Sequence, residues 1–389
     1  MSFIEKSDKV AFYCLCGYGV FCSVSIAVSN IFISLAALSI MINIASNKNN
    51  IHIIRIPKVY LRALIVFFGS MFILIFFSDD LSDAIQRFLK FSLKLIPLLL
   101  AVAVLKERQQ IIKIMLCIVI SITIADVFAI WQGFQGNFRA PAFFPNPMYL
   151  AGILVQLLPI LFLISFNMEG KRNKYLIMAF IIGCIAMLFN GTRGAWGSLL
   201  ITICMVIFMY GKNIRIIVTY GSIVFVFLAV IFFAVPALNS RIDTMLDMKY
   251  QSNSERILMW QSAGNMLQDH PLIGVGLGRY EYYYQNQYIL PEAKERRQGH
   301  AHNNFIHLAA ETGIIGLSSF SFMFGSFLFY SLKDWLKMHR ASSLMFFSAT
   351  CGLLLQGLTE TNFGNSIVMN LYYFLMGLYI QFNYLEKKN

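Results

Sequence analysis

His300-Ala301-His302-Asn303-Asn304, followed by Glu311, Gly313 and Gly316, stands where a long polar stretch gives way to an apolar one. Imidazoles and amides at the edge of so hydrophobic a segment are costly to keep without a role, which marks a candidate reaction centre. An imidazole, with an ordinary pKa near ~6.5, takes a proton from a hydroxyl at neutral pH when the two are within hydrogen-bond reach. General-base chemistry at His302 is therefore the first expectation, and an N-cap or packing residue is the structural alternative. His300 and His302 at a spacing of two, with His307 and Glu311 a helical turn apart, have the makings of a metal site. His302 and His307 would point to different faces once a helix begins, so no metal is expected. Glu311 lies about half a rotation from His302 and is expected to brace a neighbouring helix instead of orienting that imidazole.

Cations recur beside turn signals. Arg139 precedes Pro145-Asn146-Pro147, Arg193 sits in Asn190-Gly191-Thr192-Arg193-Gly194, and Arg256 closes Ser252-Asn253-Ser254-Glu255-Arg256. Asn146 and Thr192 suit N-caps, Pro147 suits a first helical position, and a loop helix is expected from about Arg256 to near His270-Pro271. Helix N-termini with guanidinium forks bind phosphate, and two such sites hold a diphosphate. Each arginine read alone is a membrane anchor or headgroup contact; Gly191 and Gly194 around Arg193 point further, to a tight turn or close backbone approach. Arg279, Arg296 and Arg297 are expected to be solvated loop charges. Tyr280, Tyr282, Tyr283, Tyr284, Tyr288 and Trp260 either stack on sugar rings or form an interfacial belt, the commoner use. Gln356, Glu360, Thr361, Asn362 and Asn365 either face a cavity or make a turn.

The elements that must position these residues are membrane helices. Of 389 residues, 58% are hydrophobic and 13% charged, and many apolar runs reach the ~20 residues that cross a hydrocarbon core. The fold class is an all-α polytopic membrane protein, one integral domain over 1–389. About twelve spans are expected, centred near residues 18, 38, 68, 97, 121, 157, 182, 203, 225, 317, 351 and 375. A large loop over 236–303, carrying short helices, separates spans nine and ten. Lys6 and Lys9 precede the first run without a short h-region and cleavage site, so that run is expected to be an anchor. Lysines and arginines fall at every second connection, which places both termini and the basic connections in the cytoplasm and the large loop outside. Acids and bases balance within that loop, so the net charge of +12 reflects topology and no nucleic-acid partner is expected. All seven cysteines fall in expected spans, with no disulfide framework or zinc spacing. There is no P-loop, dinucleotide fingerprint or G-x-S-x-G elbow, so no cofactor is expected and a substrate must bring its own activation.

His302-Asn303, nine residues, Gly313, two residues and Gly316 resemble the signature of the O-antigen ligase family. The Gly191-Thr192-Arg193-Gly194 turn, the Arg256–Trp260 segment and Pro271-Leu272-Ile273-Gly274-Val275-Gly276 are similar to the wider ligase and polymerase superfamily, the resemblance covering roughly residues 139–320. It implies a GT-C-type glycosyltransferase fold, an undecaprenyl-diphosphate-linked glycan donor and a lipid A–core acceptor. The setting it implies is the periplasmic face of a Gram-negative inner membrane, with membrane lipids as neighbours, and the reaction is metal-independent and inverting. On these positions, Arg193 and Arg256 would grip the donor diphosphate, Arg139 would add a secondary contact and His302 would deprotonate the acceptor hydroxyl. His300, Asn303, Gly191 and Gly194 would support them. An O-antigen polymerase and a protein O-oligosaccharyltransferase are the alternatives within the superfamily. A transporter would instead place its charged groups near the bilayer midplane.

Overall fold

The computed structural model describes residues 3–46, 55–167, 171–210 and 250–388, with a few single positions between 218 and 233. Every regular element among these is a helix: α1 Phe3–Phe21, α2 Ile26–Ser46, α3 Lys58–Ile75, α4 Leu81–Leu93, α5 Ile96–Val104, α6 Arg108–Phe134 and α7 Pro147–Asn167. Then come α8 Lys171–Asn190, α9 Arg193–Tyr210, α10 Gln251–Asp269, α11 Tyr280–Tyr283 with a π-helical turn over Tyr284–Tyr288, α12 Asn304–Met338, α13 Ala341–Gln356 and α14 Ser366–Lys388. Seven of these are long and apolar enough to cross a membrane, and α13 is a shorter apolar helix. Eleven of the expected span centres fall on described helices; around the one near 225 only scattered positions are described, and the first part of the large loop, with Arg241, Asp243, Asp247 and Lys249, lies outside the described residues.

The span expected near residue 97 is two helices. Asp80 caps α4, accepting hydrogen bonds from the Ser82 and Asp83 amides at 2.9 and 3.1 Å. Leu81, Ile85, Leu89 and Leu93 form an exposed apolar stripe on α4 at four-residue spacing, while Arg87 and Phe91 turn inward, the habit of a helix lying along an apolar boundary. The chain breaks at Lys94-Leu95 before the fully apolar α5. Lys94 Nζ donates to the carbonyls of Phe363 and Gly364, each at 2.9 Å, so the break delivers a cation to the turn between α13 and α14.

The helices bury their apolar faces in two cores. One gathers α1, α2 and α6 to α9 around α7, which is buried on nearly all sides; the other joins α3, α5, α12, α13 and α14, with Phe67, Phe320 and Phe363 at its centre. A third, smaller core lies in the loop, where Met259, Ala263 and Met266 of α10 meet Tyr280, Tyr284 and Tyr288. Three of the tyrosines expected to form an interfacial belt are thus inside this core. They sit on consecutive turns, four residues apart, and Tyr280 and Tyr284 stack at 5.8 Å; only Tyr282 of the run is exposed.

The long helix α12 is broken at Gly313, whose φ of 59° and ψ of −161° no helix contains. Four backbone bonds join the broken stretch to the 271–276 loop. Val275 and Gly276 N–H groups donate to the Ala310 and Glu311 carbonyls at 2.9 and 3.1 Å, and Ile314 and Ile315 N–H groups donate to Pro271 and Leu272 at 2.9 and 3.3 Å. Four backbone groups of α12 on either side of the break are thereby paired. The two strands of this clasp run so close that a Cβ on Gly313 would lie 2.3 Å from the Leu272 carbonyl carbon and one on Gly274 2.4 Å from that of Glu311. A Cβ on Gly316 would meet Thr312 Oγ1. These contacts explain why the spacing that carries the resemblance calls for glycine.

Candidate active site

The first turn of α12 is stitched to the turn that follows α13. Asn303 caps α12, accepting from the Phe305 and Ile306 amides at 2.9 and 3.1 Å, and its own amide donates to the Leu358 carbonyl at 2.9 Å. The backbone N–H of Asn304 donates to the Gly357 carbonyl at 2.7 Å, and its side-chain amide donates to Asn362 Oδ1 at 2.6 Å. Asn362 in turn donates to the Leu353 carbonyl and to Gln356, while Asn365 caps α14. The polar cluster at 356–365 is therefore a built turn, and it carries one side chain aimed at the histidines.

That side chain is Glu360, only 6% exposed. His302 Nδ1 lies 3.0 Å from Glu360 Oε1, and His300 Nε2 lies 3.5 Å from the same oxygen, with the two imidazole rings 4.3 Å apart. Arg256 faces the other oxygen, its Nη2 3.7 Å from Oε2. Burial alone would push the Glu360 carboxyl up; the hydrogen bonds from both imidazoles, with the charges of His302 and Arg256, outweigh it and hold the group well below the usual carboxylate range. An ionised carboxylate can only accept, so Nδ1 of His302 is the donor of this pair, which leaves Nε2 as the nitrogen turned toward a substrate hydroxyl. This is the arrangement in which a buried acid sets the tautomer and orientation of a general base.

Other contacts hold the histidine segment in place. Trp260 Nε1 of α10 donates to the Ala301 carbonyl at 2.8 Å, and Glu255 accepts from the Lys294 and Glu295 amides at 3.1 and 3.2 Å, folding the loop back on α10. His302 itself has a φ of 49°, a left-handed conformation that few non-glycine residues adopt and that a rigid surround must enforce. The loop helix expected from about Arg256 is thus present but begins five residues earlier, at Gln251, and it is what brings Arg256 and the histidines together. Asn303, not His302, is the N-cap.

The Gly191–Gly194 turn meets the same region. Gly191 has a φ of 66°, and a Cβ there would lie 2.3 Å from the Phe138 carbonyl oxygen and 3.8 Å from Arg139 Cγ. A Cβ on Gly194 would lie 2.0 Å from Thr359 Oγ1, next to Glu360. Both glycines are thus explained by close approach, and they set α9 against the Glu360 turn on one side and the exposed Arg139 on the other. Arg193 Nη2 donates to Ser252 Oγ and Asn253 Oδ1, each at 3.2 Å. Ser252, Asn253 and Arg256 lie on one face of α10, three and four residues apart, which places Arg193 one helical turn from Arg256. Thr192 stands just before α9, and Asn146 caps α7, accepting from the Met148 amide at 2.9 Å.

Behind this cluster lies a second one. Glu311, 1% exposed, has Oε1 3.6 Å from Arg87 Nη2 of α4 and 3.7 Å from His307 Nε2, and Arg87 Nη2 is 3.0 Å from the same imidazole nitrogen. Glu311 therefore braces α4, as its position on the helix predicts, and His307 is held apart from His302. Arg279, expected to be solvated, is bound instead: Nε and Nη2 contact Asp79 at 2.9 and 3.1 Å and Nη1 contacts Asp83 at 3.3 Å. The acidic turn before α4 supplies these partners from 200 residues away, so neither half of the pair is legible alone. Arg296 and Arg297 are exposed.

His300, His302 and Glu360 offer three ligand atoms within 4.8 Å of one another, the number and type a zinc site needs. Arg256 already neutralises the carboxylate from its other side, a charge that competes with a cation for the same group. Glu360 is the member of this cluster that the sequence suggests only as a turn or cavity group; an acid in an otherwise neutral turn between apolar helices is its one signal.

Residues 178–321 match the family model described as O-antigen ligase. The match runs from α8 through α9 and the loop to eight residues past the break in α12, and so includes Arg193, Arg256, His300, His302 and both glycines of the clasp. Comparison with curated proteins finds no match.

Proposed function

We propose that the chain is a glycosyltransferase of the O-antigen ligase family, whose model its residues 178–321 match. It moves a glycan from an undecaprenyl diphosphate carrier to a lipid A–core oligosaccharide at the periplasmic face of the inner membrane. The observation that carries the reading is the convergence of His302 and Arg256 on Glu360, with Arg193 one turn of α10 away. Arg193 and Arg256 bind the diphosphate and stabilise the charge it gathers on leaving, and Arg139, beside the Gly191 turn, adds a peripheral contact. His302 Nε2 takes the proton of the acceptor hydroxyl as its oxygen attacks the anomeric carbon. The bond from that carbon to the phosphate oxygen breaks, and undecaprenyl diphosphate departs with the electron pair. Attack opposite the leaving group inverts the anomeric centre. Glu360 holds the imidazole in the required tautomer and stabilises the imidazolium that forms, while the diphosphate is itself the activated leaving group. The reaction needs no metal, so activity should survive strong chelation.

Reconstitution with lipid-diphosphate donor and purified lipid A–core tests the reading. Glycan appearing on the core supports a ligase; glycan lengthening on its carrier supports the polymerase reading, and product on neither would sink both. The polymerase is the second reading because the same base and diphosphate grip serve it, with only the acceptor changed. Transfer to a protein hydroxyl is a third within the same chemistry, and a non-enzymatic transporter is disfavoured because the cationic and imidazole groups gather at one end of the bundle instead of its middle.

A further inference from the structure

We propose that the end of the bundle remote from the histidines holds a second site, for the acyl chain of an anionic glycerophospholipid with its phosphate on Arg108. A cavity of about 900 Å³ opens there between α6, α7, α13 and α14, within the range of volumes that bind small ligands, ~300–1,000 Å³. It is remote from the reaction centre because α13 begins at the cavity, with Ala341, and ends beside Glu360, ~24 Å away along its axis.

The walls divide by chemistry. Along α6 the lining runs from Arg108 through Met115 to Val119, ~16 Å at the helical rise, and Ile164 of α7 and Leu378 of α14 face it. A cavity so walled stays dry and favours hydrocarbon, and its length suits an extended acyl chain. Of the polar lining groups, Arg108, Ser342 and Glu386 lie at the helix ends that form the mouth, and Tyr379, deeper in, has its hydroxyl taken up by that of Tyr60 at 2.9 Å. Glu386 is already neutralised by Arg340 Nε at 2.9 Å, and Ser342 donates to Asn383. Arg108 rests on the Phe382 ring at 4.8 Å and, among the described residues, has no carboxylate partner. A cation at the mouth of an apolar slot within a membrane protein fits a molecule with one anionic end and one long hydrocarbon end. A soluble anion would leave the slot empty, and a neutral lipid would leave the guanidinium without its partner.

Delipidated full-length protein, loaded with dioleoyl phosphatidylglycerol or dioleoyl phosphatidylcholine and followed by native mass spectrometry, tests this. Wild type should retain the anionic lipid about fivefold better, the worth of one basic residue beside a lipid phosphate. Arg108→Gln should bring the ratio to about one, and Lys113→Gln, an exposed neighbour on α6, should leave it alone. Leu378→Trp, which fills the slot, should reduce retention of both lipids. Equal retention in wild type, or a preference that survives Arg108→Gln, would overturn the proposal. Displacement of phosphatidylglycerol by an equal amount of undecaprenyl phosphate would also overturn it, because the slot would then belong to the isoprenoid.

Discussion

At the scale of single residues, the pairing of His302 with Glu360 decides the chemistry. Glu360→Gln keeps the shape of the side chain but replaces an acceptor-only group with one that can present N–H to the imidazole, allowing the wrong tautomer. Transfer should fall by ~10²–10⁴-fold with little change in donor affinity, measured as kcat and KM in the reconstituted assay. His302→Ala should abolish transfer while the protein still inserts and stays folded; wild-type-like turnover in either variant would remove the proposed base. The carboxyl is held low in the folded protein and returns to about 4.3 on unfolding. Its contribution to stability is thus fully present above that value and lost as pH falls below it. The advantage of wild type over Glu360→Gln in thermal unfolding should therefore be present above about pH 5 and shrink below about pH 4. Arg193 makes two hydrogen bonds through one guanidinium nitrogen. If its fork also clamps the diphosphate, Arg193→Lys should lose nearly as much activity as Arg193→Ala, since an ammonium cannot bind bidentately. Equal activity of wild type and the lysine variant would reduce it to a simple charge. The candidate base and the candidate cations can be picked out from the sequence because each sits beside a turn signal. The orienting acid was not, because it lies 58 residues from its partner, and no local pattern encodes a contact made by packing α12 against α13.

At the scale of elements, the break in α12 converts one long apolar helix into a span and a platform. The nine residues before Gly313 rise ~14 Å and carry the site, whereas the 25 residues after it rise ~37 Å, enough to cross a core of ~30 Å. The clasp with residues 271–276 fixes the angle between the two pieces and ties the loop to them. Gly313→Ala should therefore be severe: the backbone conformation costs ~1–3 kcal/mol for any other residue, and the new Cβ would collide with the Leu272 carbonyl. A lowered unfolding temperature and faster proteolysis within 271–303 are the expected readings. Gly264→Ala on α10 is the matched control, because nothing lies within 4 Å of its Cβ position. Alanine should stabilise that helix by up to ~1 kcal/mol, and a Gly313→Ala variant as stable as this one would refute the clasp. Helix positions themselves were legible from hydropathy alone, since apolar runs of span length have few other uses. What hydropathy could not show was the division of the fourth span at Lys94, whose ammonium is satisfied by carbonyls of a turn 269 and 270 residues away, or the use of the loop tyrosines as a core.

At the scale of the whole molecule, charge is sorted along the bundle axis. Arg55 and Lys58 before and at the start of α3, Lys106 and Arg108 at α6, Lys333 and Lys337 late in α12, Arg340 before α13 and Lys387 late in α14 all mark one end. The other end carries the histidines, Glu360 and the clasp of Arg279 on Asp79, Asp80 and Asp83. Basic connections resist translocation, so the first end should face the cytoplasm and the site should face outward, where a lipid-linked glycan on the outer leaflet can reach it. Cysteine labelling checks this directly. With the exposed native thiol removed by Cys204→Ser, a membrane-impermeant maleimide applied to cells with a permeabilised outer membrane should modify Glu281→Cys, an exposed loop position. Lys113→Cys, exposed near the start of α6, should react only once the inner membrane is opened. Thiol reactivity follows exposure and thiolate character, and both positions are exposed on the protein surface, so reaction at Lys113→Cys once the inner membrane is opened is the control that sets access apart from burial. The opposite pattern would put the site in the cytoplasm, out of reach of a glycan on the outer leaflet, and the transfer reaction proposed for it could not take place there.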